Sequence, residues 1–330
     1  MVFRDKTIDS TIRRNQSMDV LRIVACMGII MLHVISSVFT HNYAEEGELE
    51  WAFCIIMYHV SMWAIPIFAM ITGYFFLRPE KEVPLKKLYG KYILRLVLSL
   101  VFWTHVYAIF VGLPYYPFTG QETNFWYVGV CIGLYISMPV LRYIASDDRL
   151  LAYSCWVWLV IRIYCNIEMF VVMPFNITDY VFTEYIGYCL WGYYLTRIKL
   201  SAKQTHLVYL GGVIYIIINT LLALITKGET RVTFDNMDPF FLCIAIVLFV
   251  HRHPIELHPK LEKVVAYSAG LVFGIYMVQT LVDMEIFTRL HRYIPNVYVL
   301  VPVAFVAMFS ISYVIVFLIK QIPILKKWVV

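Results

Sequence analysis

The chain has 330 residues, 61% of them hydrophobic and only 15% charged, and its mean hydropathy of +0.72 lies well above that of a water-soluble domain. This excludes a soluble globular enzyme and predicts an all-α polytopic membrane protein. A net charge of +5, which in a soluble chain would raise the question of nucleic acid, here follows from loop topology, so no nucleic-acid partner is expected.

Apolar runs of about 17–25 residues are what a helix needs to cross a bilayer. They fall near residues 20–39, 52–77, 92–113, 125–145, 150–167, 181–197, 206–226, 238–250, 264–285 and 297–319, which predicts a bundle of about ten transmembrane helices. With the N-terminus in the cytoplasm, the inner segments hold 19 Lys and Arg residues against 4 in the outer loops, and the remaining four (Arg22, Arg95, Arg142, Arg162) lie within the spans. That bias predicts both termini cytoplasmic in a multi-pass protein of the cell (plasma) membrane. A cytoplasmic basic arm over residues 1–18 would then precede a single membrane-embedded domain over 19–330. The seven cysteines lie in or beside the apolar runs with no C-x-x-C spacing, so they read as small apolar fillers, and no metal site is expected.

The first span carries three ionisable side chains, Asp19, Arg22 and His33. At helical pitch they fall within roughly 60° of one another and form a stripe that descends about 21 Å from Asp19 to His33. Ser17 or Asp19 would cap this helix, and Arg22 either pairs with Asp19 as a clasp or faces an anionic ligand. The outer loop that follows, Glu45 to Glu50, is acidic but has no metal-ligand spacing. The second span ends in Pro66-Ile-Phe68-Ala-Met-Ile-Thr72-Gly73-Tyr74, a pattern for a kinked helix in close contact with a neighbour.

The loop from Arg78 to Lys91 is the most basic of the chain, and it leads into Arg95, at least one turn inside the third apolar run. The fourth span opens with Asn124-Phe-Trp126-Tyr127 and continues through Tyr135 to Pro139. Glu184 and the run Gly187 to Gly192 mark the sixth span, and Gly274-Ile-Tyr276-Met-Val-Gln279 marks the ninth. Nucleotide-binding, nucleophile-elbow and zinc-protease motifs are all absent, as are internal repeats.

Four of these segments together resemble the acyltransferase 3 family of membrane acyltransferases. Arg14…Asp19-x-x-Arg22-x10-His33 is similar to that family's first-helix pattern with its R-x10-H spacing. Pro66-x-Phe68-x-x-x-Thr72-Gly73-Tyr74 resembles V-P-x-F-F-x-x-S-G-Y, the Asn124 to Pro139 segment resembles H-x-W-F-L…Y…P, and Gly274-Ile-Tyr276-x-x-Gln279 resembles G-I-Y-x-x-H. The chain departs from the family in having Asn124 and Gln279 at positions often occupied by histidine. It also has Lys91 and Arg95, one residue further apart than the arginine pair usual at the third helix.

The resemblance implies a ten-helix enzyme that moves an acyl group, usually acetyl, from cytoplasmic acyl-CoA to a hydroxyl of a cell-surface or lipid-linked glycan, closest to the surface-polysaccharide O-acetyltransferase branch. Homo-oligomers are compatible with it. In that chemistry His33 is the general base, because an unprotonated imidazole has a lone pair for the hydroxyl proton; the competing role is a core histidine satisfied by a carbonyl or hydroxyl. Arg22 and Asp19 complete the catalytic stripe. Arg22, Lys91 and Arg95, with Lys87 and Arg14, would hold the phosphates of acetyl-CoA as donor. Asn124, Trp126, Tyr127, Thr72, Tyr74, Tyr276, Gln279 and Glu184 would line the substrate path, and Glu184 is the intramembrane acid expected to orient a histidine. His59 and His105 read as packing residues. A transporter of a small molecule such as an amino acid is the competing function, since an ionisable stripe also serves a substrate or proton path. A non-catalytic partner of a glycan assembly system is the third, and it would tolerate changes at Arg22 and His33.

Overall fold

The computed structural model describes residues 15–112, 125–168, 184–226 and 238–329, and among these the chain is helical with no strand. Fourteen helices follow in order: α1 (Gln16–Thr40), α2 (Leu49–Ser61), α3 (Ala64–Phe76), α4 (Leu85–Lys87), α5 (Leu94–Val111), α6 (Trp126–Ala145), α7 (Asp148–Glu168), α8 (Glu184–Tyr194), α9 (Ala202–Thr226), α10 (Phe240–Arg252), α11 (Pro259–Ala269), α12 (Val272–Tyr293), α13 (Val297–Ile319) and α14 (Pro323–Trp328). A π-helical turn, Leu88–Ile93, joins α4 to α5.

Among the described residues six stretches are long and apolar enough to cross a membrane: α1, α2 with α3, α4 through most of α5, α6, α9 and α13. α11 and α12, bent by 58° at Gly270–Leu271, would make a seventh. The other expected crossings correspond to α7, α8 and α10. α8 and α10 have only 11 and 13 residues, and α7 carries Asp148, Arg149, Arg162 and Glu168. In α8 every residue from Gly187 to Tyr193 is buried. A helix enclosed by protein has no need to match the bilayer thickness, which is why apolarity alone does not give its length.

α1 is the axis of the bundle, packing against α2, α3, α10, α11, α12 and α13. Its first half (Met18, Leu21, Ala25) belongs to one apolar core with α3, α6, α7, α8 and α10. Its second half (Cys26 through Val38) belongs to another, with α2, α5, α12 and α13. The helix begins earlier than Ser17 or Asp19 would set it: Asn15 is the N-cap, its Oδ1 accepting from Met18 N at 3.1 Å. Ser17 and Gln16 instead accept from the backbone of Ile255 and Leu257, both at 2.7 Å, tying the segment before α11 across the start of α1.

The kink in the second span is a break at Met62–Trp63, and Pro66 sits in the first turn of α3, where its missing N–H costs no helical hydrogen bond. α3 and α8 then cross backbone to backbone. A Cβ on Gly73 would overlap the Cys189 carbonyl, and one on Gly192 would overlap that of Met70, so both positions require glycine. Gly28 of α1 is similarly close to Ala64, where an added Cβ would lie 2.7 Å from the alanine methyl. All seven cysteines are free thiols, five of them buried.

Candidate active site

The ionisable stripe of α1 is in place. Asp19 is almost fully buried and accepts from the Arg22 guanidinium at 3.2 Å. Arg22 also lies over the Phe75 ring, 4.9 Å from its centroid. The clasp with Asp19 does not withdraw Arg22 from ligands, because Arg22 lines a cavity of about 250 Å³ that runs along α1 between α3, α6 and α12. Thr72, Tyr127, Tyr135, Phe273 and Tyr276 share its wall. Thr72 donates its hydroxyl to the Phe68 carbonyl at 2.8 Å, so the proton of that hydroxyl is already used within the helix.

Further along α1 a larger cavity of about 930 Å³ holds His33. Ile29, Tyr127 and Tyr276 line both cavities, so the two meet at a collar of one aliphatic and two aromatic side chains. Trp126, Tyr58 and Tyr185 supply aromatic wall, and Ser36, Ser37, Thr40 and Thr280 supply hydroxyls. Asp283 of α12 is its carboxylate: Ser37 donates to Asp283 Oδ2 at 2.6 Å, and His41 Nδ1 donates to the Ser37 carbonyl at 2.8 Å.

Positive charge gathers at the Arg22 end. Arg95 lies 5.9 Å from the Phe273 ring, and both Arg95 and Arg22 act electrostatically on Tyr135, which places Arg95 beside the smaller cavity. Lys87 and Lys91 are exposed on α4 and the π-helical turn. The loop after α3 adds a cation that sequence reasoning did not single out. Lys81 lies 3.8 Å from the Phe76 ring, and its ammonium is held below the usual lysine range by partial burial and by Lys87, Arg22, Arg142 and Arg78 around it. Arg142 donates to the carbonyls of Phe76 and Arg78, the latter at 3.1 Å, and so fixes the C-terminal end of α3.

The expected residues thus divide. Asp19, Arg22 and Arg95 come together at one end. His33, Trp126, Tyr127 and Tyr276 come together at the other. Tyr74 lies with the first group, its hydroxyl accepting from Asn15 Nδ2 at 2.8 Å beneath the Arg78 guanidinium. Gln279 is fully buried on α12, one turn from both Tyr276 and Asp283, with no partner on either amide atom among the described residues. Arg14 and Asn124 lie outside the described residues, and Glu184 opens α8 with its side chain outside them. His59 packs between α2 and α9, its Nδ1 3.5 Å from the Thr220 hydroxyl, and His105 donates to the Val101 carbonyl on the exposed face of α5.

Asp283 and Ser37 were not singled out from sequence. The signal for the aspartate was nonetheless present, as a carboxylate in an apolar span at helical spacing from Tyr276 and Gln279.

A profile of the acyltransferase domain matches residues 15–320, nearly the whole chain. Neither a comparison with characterised proteins nor one with solved structures returns a match. The profile spans α1 to the end of α13 and contains both cavities and the helices that build them. This helical membrane protein, with its intramembrane histidine and arginine on one cavity-lining helix, therefore belongs to the acyltransferase 3 family, which marks it as an acyltransferase.

Proposed function

We propose that the protein is an integral membrane O-acyltransferase that takes an acyl group, acetyl in the simplest case, from cytoplasmic acyl-CoA and delivers it to a hydroxyl of a surface or lipid-linked glycan. The observation that carries this reading is the pair of cavities along α1. One ends among cations, the other holds a histidine, and Ile29, Tyr127 and Tyr276 stand in the walls of both. The Lys and Arg distribution supports an orientation with the Arg22 end and both termini in the cytoplasm, and ten crossings if α7, α8 and α10 count as spans.

In this reading Arg22 and Arg95, with Lys81, Lys87 and Lys91 at the rim, hold the phosphates and pyrophosphate of CoA by charge-assisted hydrogen bonds. The pantetheine arm extends along the smaller cavity, whose apolar wall suits a chain with few polar groups. About 16 Å of helix separates Arg22 from His33, a span that an extended arm bridges. His33 takes the proton of the acceptor hydroxyl as its oxygen attacks the thioester carbonyl. The carbonyl carbon then forms its new ester bond, the C–S bond breaks, and the CoA thiolate leaves with its electron pair and takes the proton that His33 accepted, which restores the neutral imidazole. Asp19 keeps Arg22 pointing along the stripe.

Purified protein in lipid nanodiscs tests the reading. It should bind CoA and release free thiol from acetyl-CoA, and Arg22→Gln should weaken both. Absence of CoA binding, together with solute flux in liposomes, would favour the transporter.

A further inference from the structure

A third cavity, of about 660 Å³, lies among α5, α12, α13 and α14. Its wall is apolar, with Val106 and Phe110 from α5, Val278 and Val282 from α12, Ile315 from α13 and Leu325 from α14. It exists because α5 packs closely on α6 and α14 but not on α12 or α13. Tyr107 bridges the gap, its hydroxyl donating to the Met277 carbonyl at 3.2 Å and accepting from Leu281 N at 2.9 Å. That brace keeps α5 from collapsing onto α12, and an apolar space left empty forfeits the dispersion contacts of its lining. Phe110 and Met284 in its wall are exposed, so in a bilayer the cavity opens to hydrocarbon. From Val278 to Glu285 it runs about 10 Å along α12, a slot for a hydrocarbon chain.

The two ends of the slot differ in charge. Lys320 donates to the Gly270 carbonyl at 3.4 Å, which brings the end of α13 to the start of α12 and sets α14 and Glu285 at opposite ends. Glu285 is the charged side chain in the wall, 2.6 Å from Arg289. At the other end Lys326 and Lys327 are exposed on α14. They lie between two residues tied to the slot. Leu325 lines it, and the Val329 carbonyl accepts from Ser99 Oγ at 2.9 Å and from Nε1 of Trp103, another lining residue, at 3.4 Å. Residues 319–328 contain three lysines and no carboxylate. Lysines held at the end of a hydrocarbon slot complement an anionic headgroup on an acyl chain.

We propose that this slot binds one anionic phospholipid, with an acyl chain between α5, α12 and α13 and the headgroup phosphate on Lys326 and Lys327. The lipid braces α12, the helix that carries Tyr276 into the walls of the other two cavities, and it stabilises the folded chain by mass action. The site is independent of the acyltransferase reading.

The purified full chain, stripped of lipid in detergent and titrated with dioleoylphosphatidylglycerol or dioleoylphosphatidylcholine, tests it, with bound lipid and oligomeric state read by native mass spectrometry. The wild type should retain one phosphatidylglycerol and prefer it to phosphatidylcholine by about tenfold or more, the scale of two lysines meeting a net negative charge. Lys326→Gln combined with Lys327→Gln should bring that preference near unity. Val106→Trp, which fills the slot, should abolish retention of both lipids, and Ile315→Trp serves if that variant fails to fold. Leu210→Trp, on the exposed face of α9 and outside the slot, should retain lipid like the wild type. A wild type that binds neither lipid or binds both equally would overturn the inference. So would a preference unchanged in the folded lysine variant, retention that survives a folded slot-filling variant, or an equal loss from Leu210→Trp. A dimer that the slot-filling variants split, with no lipid bound, would also overturn it, because a second copy of the chain would then fill the slot.

Discussion

The two ends of α1 are built from the same helix and differ in almost every physical respect. At the Arg22 end the cavity is narrow, about 250 Å³, walled by aromatic and aliphatic side chains and bordered by guanidinium groups. At the His33 end it is nearly four times larger, lined with hydroxyls, and its charged group is a carboxylate. A narrow, cation-tipped, apolar passage suits a long thin ligand with a polyanionic head. A wide, hydroxyl-lined chamber suits a bulky polar one. The difference fits the proposed reading, in which each half takes a different ligand and the acyl group passes between them beside the residues that the two cavities share.

The collar offers the sharpest way to break this comparison. Ile29→Trp should close the passage while leaving both end chambers formed, and a displacement of reacting groups by an ångström already costs on the order of 100-fold in rate. Acyl transfer should fall by at least that factor while CoA binding persists, as seen in parallel titration and turnover assays. Arg22→Gln acts on one side only. Loss of charge-assisted hydrogen bonds worth roughly 1.5–3 kcal/mol should raise KM for acyl-CoA about 10- to 100-fold and leave KM for the acceptor unchanged. Trp126→Ala should do the reverse, raising acceptor KM about fivefold, in keeping with roughly 1 kcal/mol for an aromatic contact on a half-exposed ring. Lys81→Gln should have the smallest effect, an increase of about two- to fivefold in the KM for acyl-CoA that shrinks as salt is added, as for a partly solvated charge. A variant that moved both KM values together would deny the division into two ends.

Much of this division could be read in the sequence because charge within an apolar segment has few innocent explanations. Asp19, Arg22 and His33 stand out on composition alone, helical pitch puts them on one face, and two of them line the cavities. Gly73 and Gly192 were legible as packing signals and do bring α3 against α8.

What was not legible depends on tertiary contact. Pro66 marked a kink in the second span but not its place at Met62–Trp63, and the π-helical turn at Leu88–Ile93 leaves no mark in an apolar window. The cap at Asn15 competed with two equally good capping residues, Ser17 and Asp19. The lengths of α8 and α10 depend on what encloses them, which hydropathy does not measure. Asp283 carried a signal of its own, but its hydrogen-bond partner, Ser37, is 246 residues away in the chain. Lys81 looked like one more loop lysine until the fold placed four other cations around it.

In the proposed mechanism His33 is the base in the acceptor cavity, one turn along α1 from Ile29, which lines both cavities. The most direct measurement supplies purified wild-type and His33→Ala protein with acetyl-CoA labelled in the acetyl group, and follows both bound CoA and labelled product. The variant should fold and bind CoA like the wild type while product formation falls by about 100-fold or more, the usual contribution of a general base. A folded variant that still transfers acetyl at a wild-type rate would contradict it.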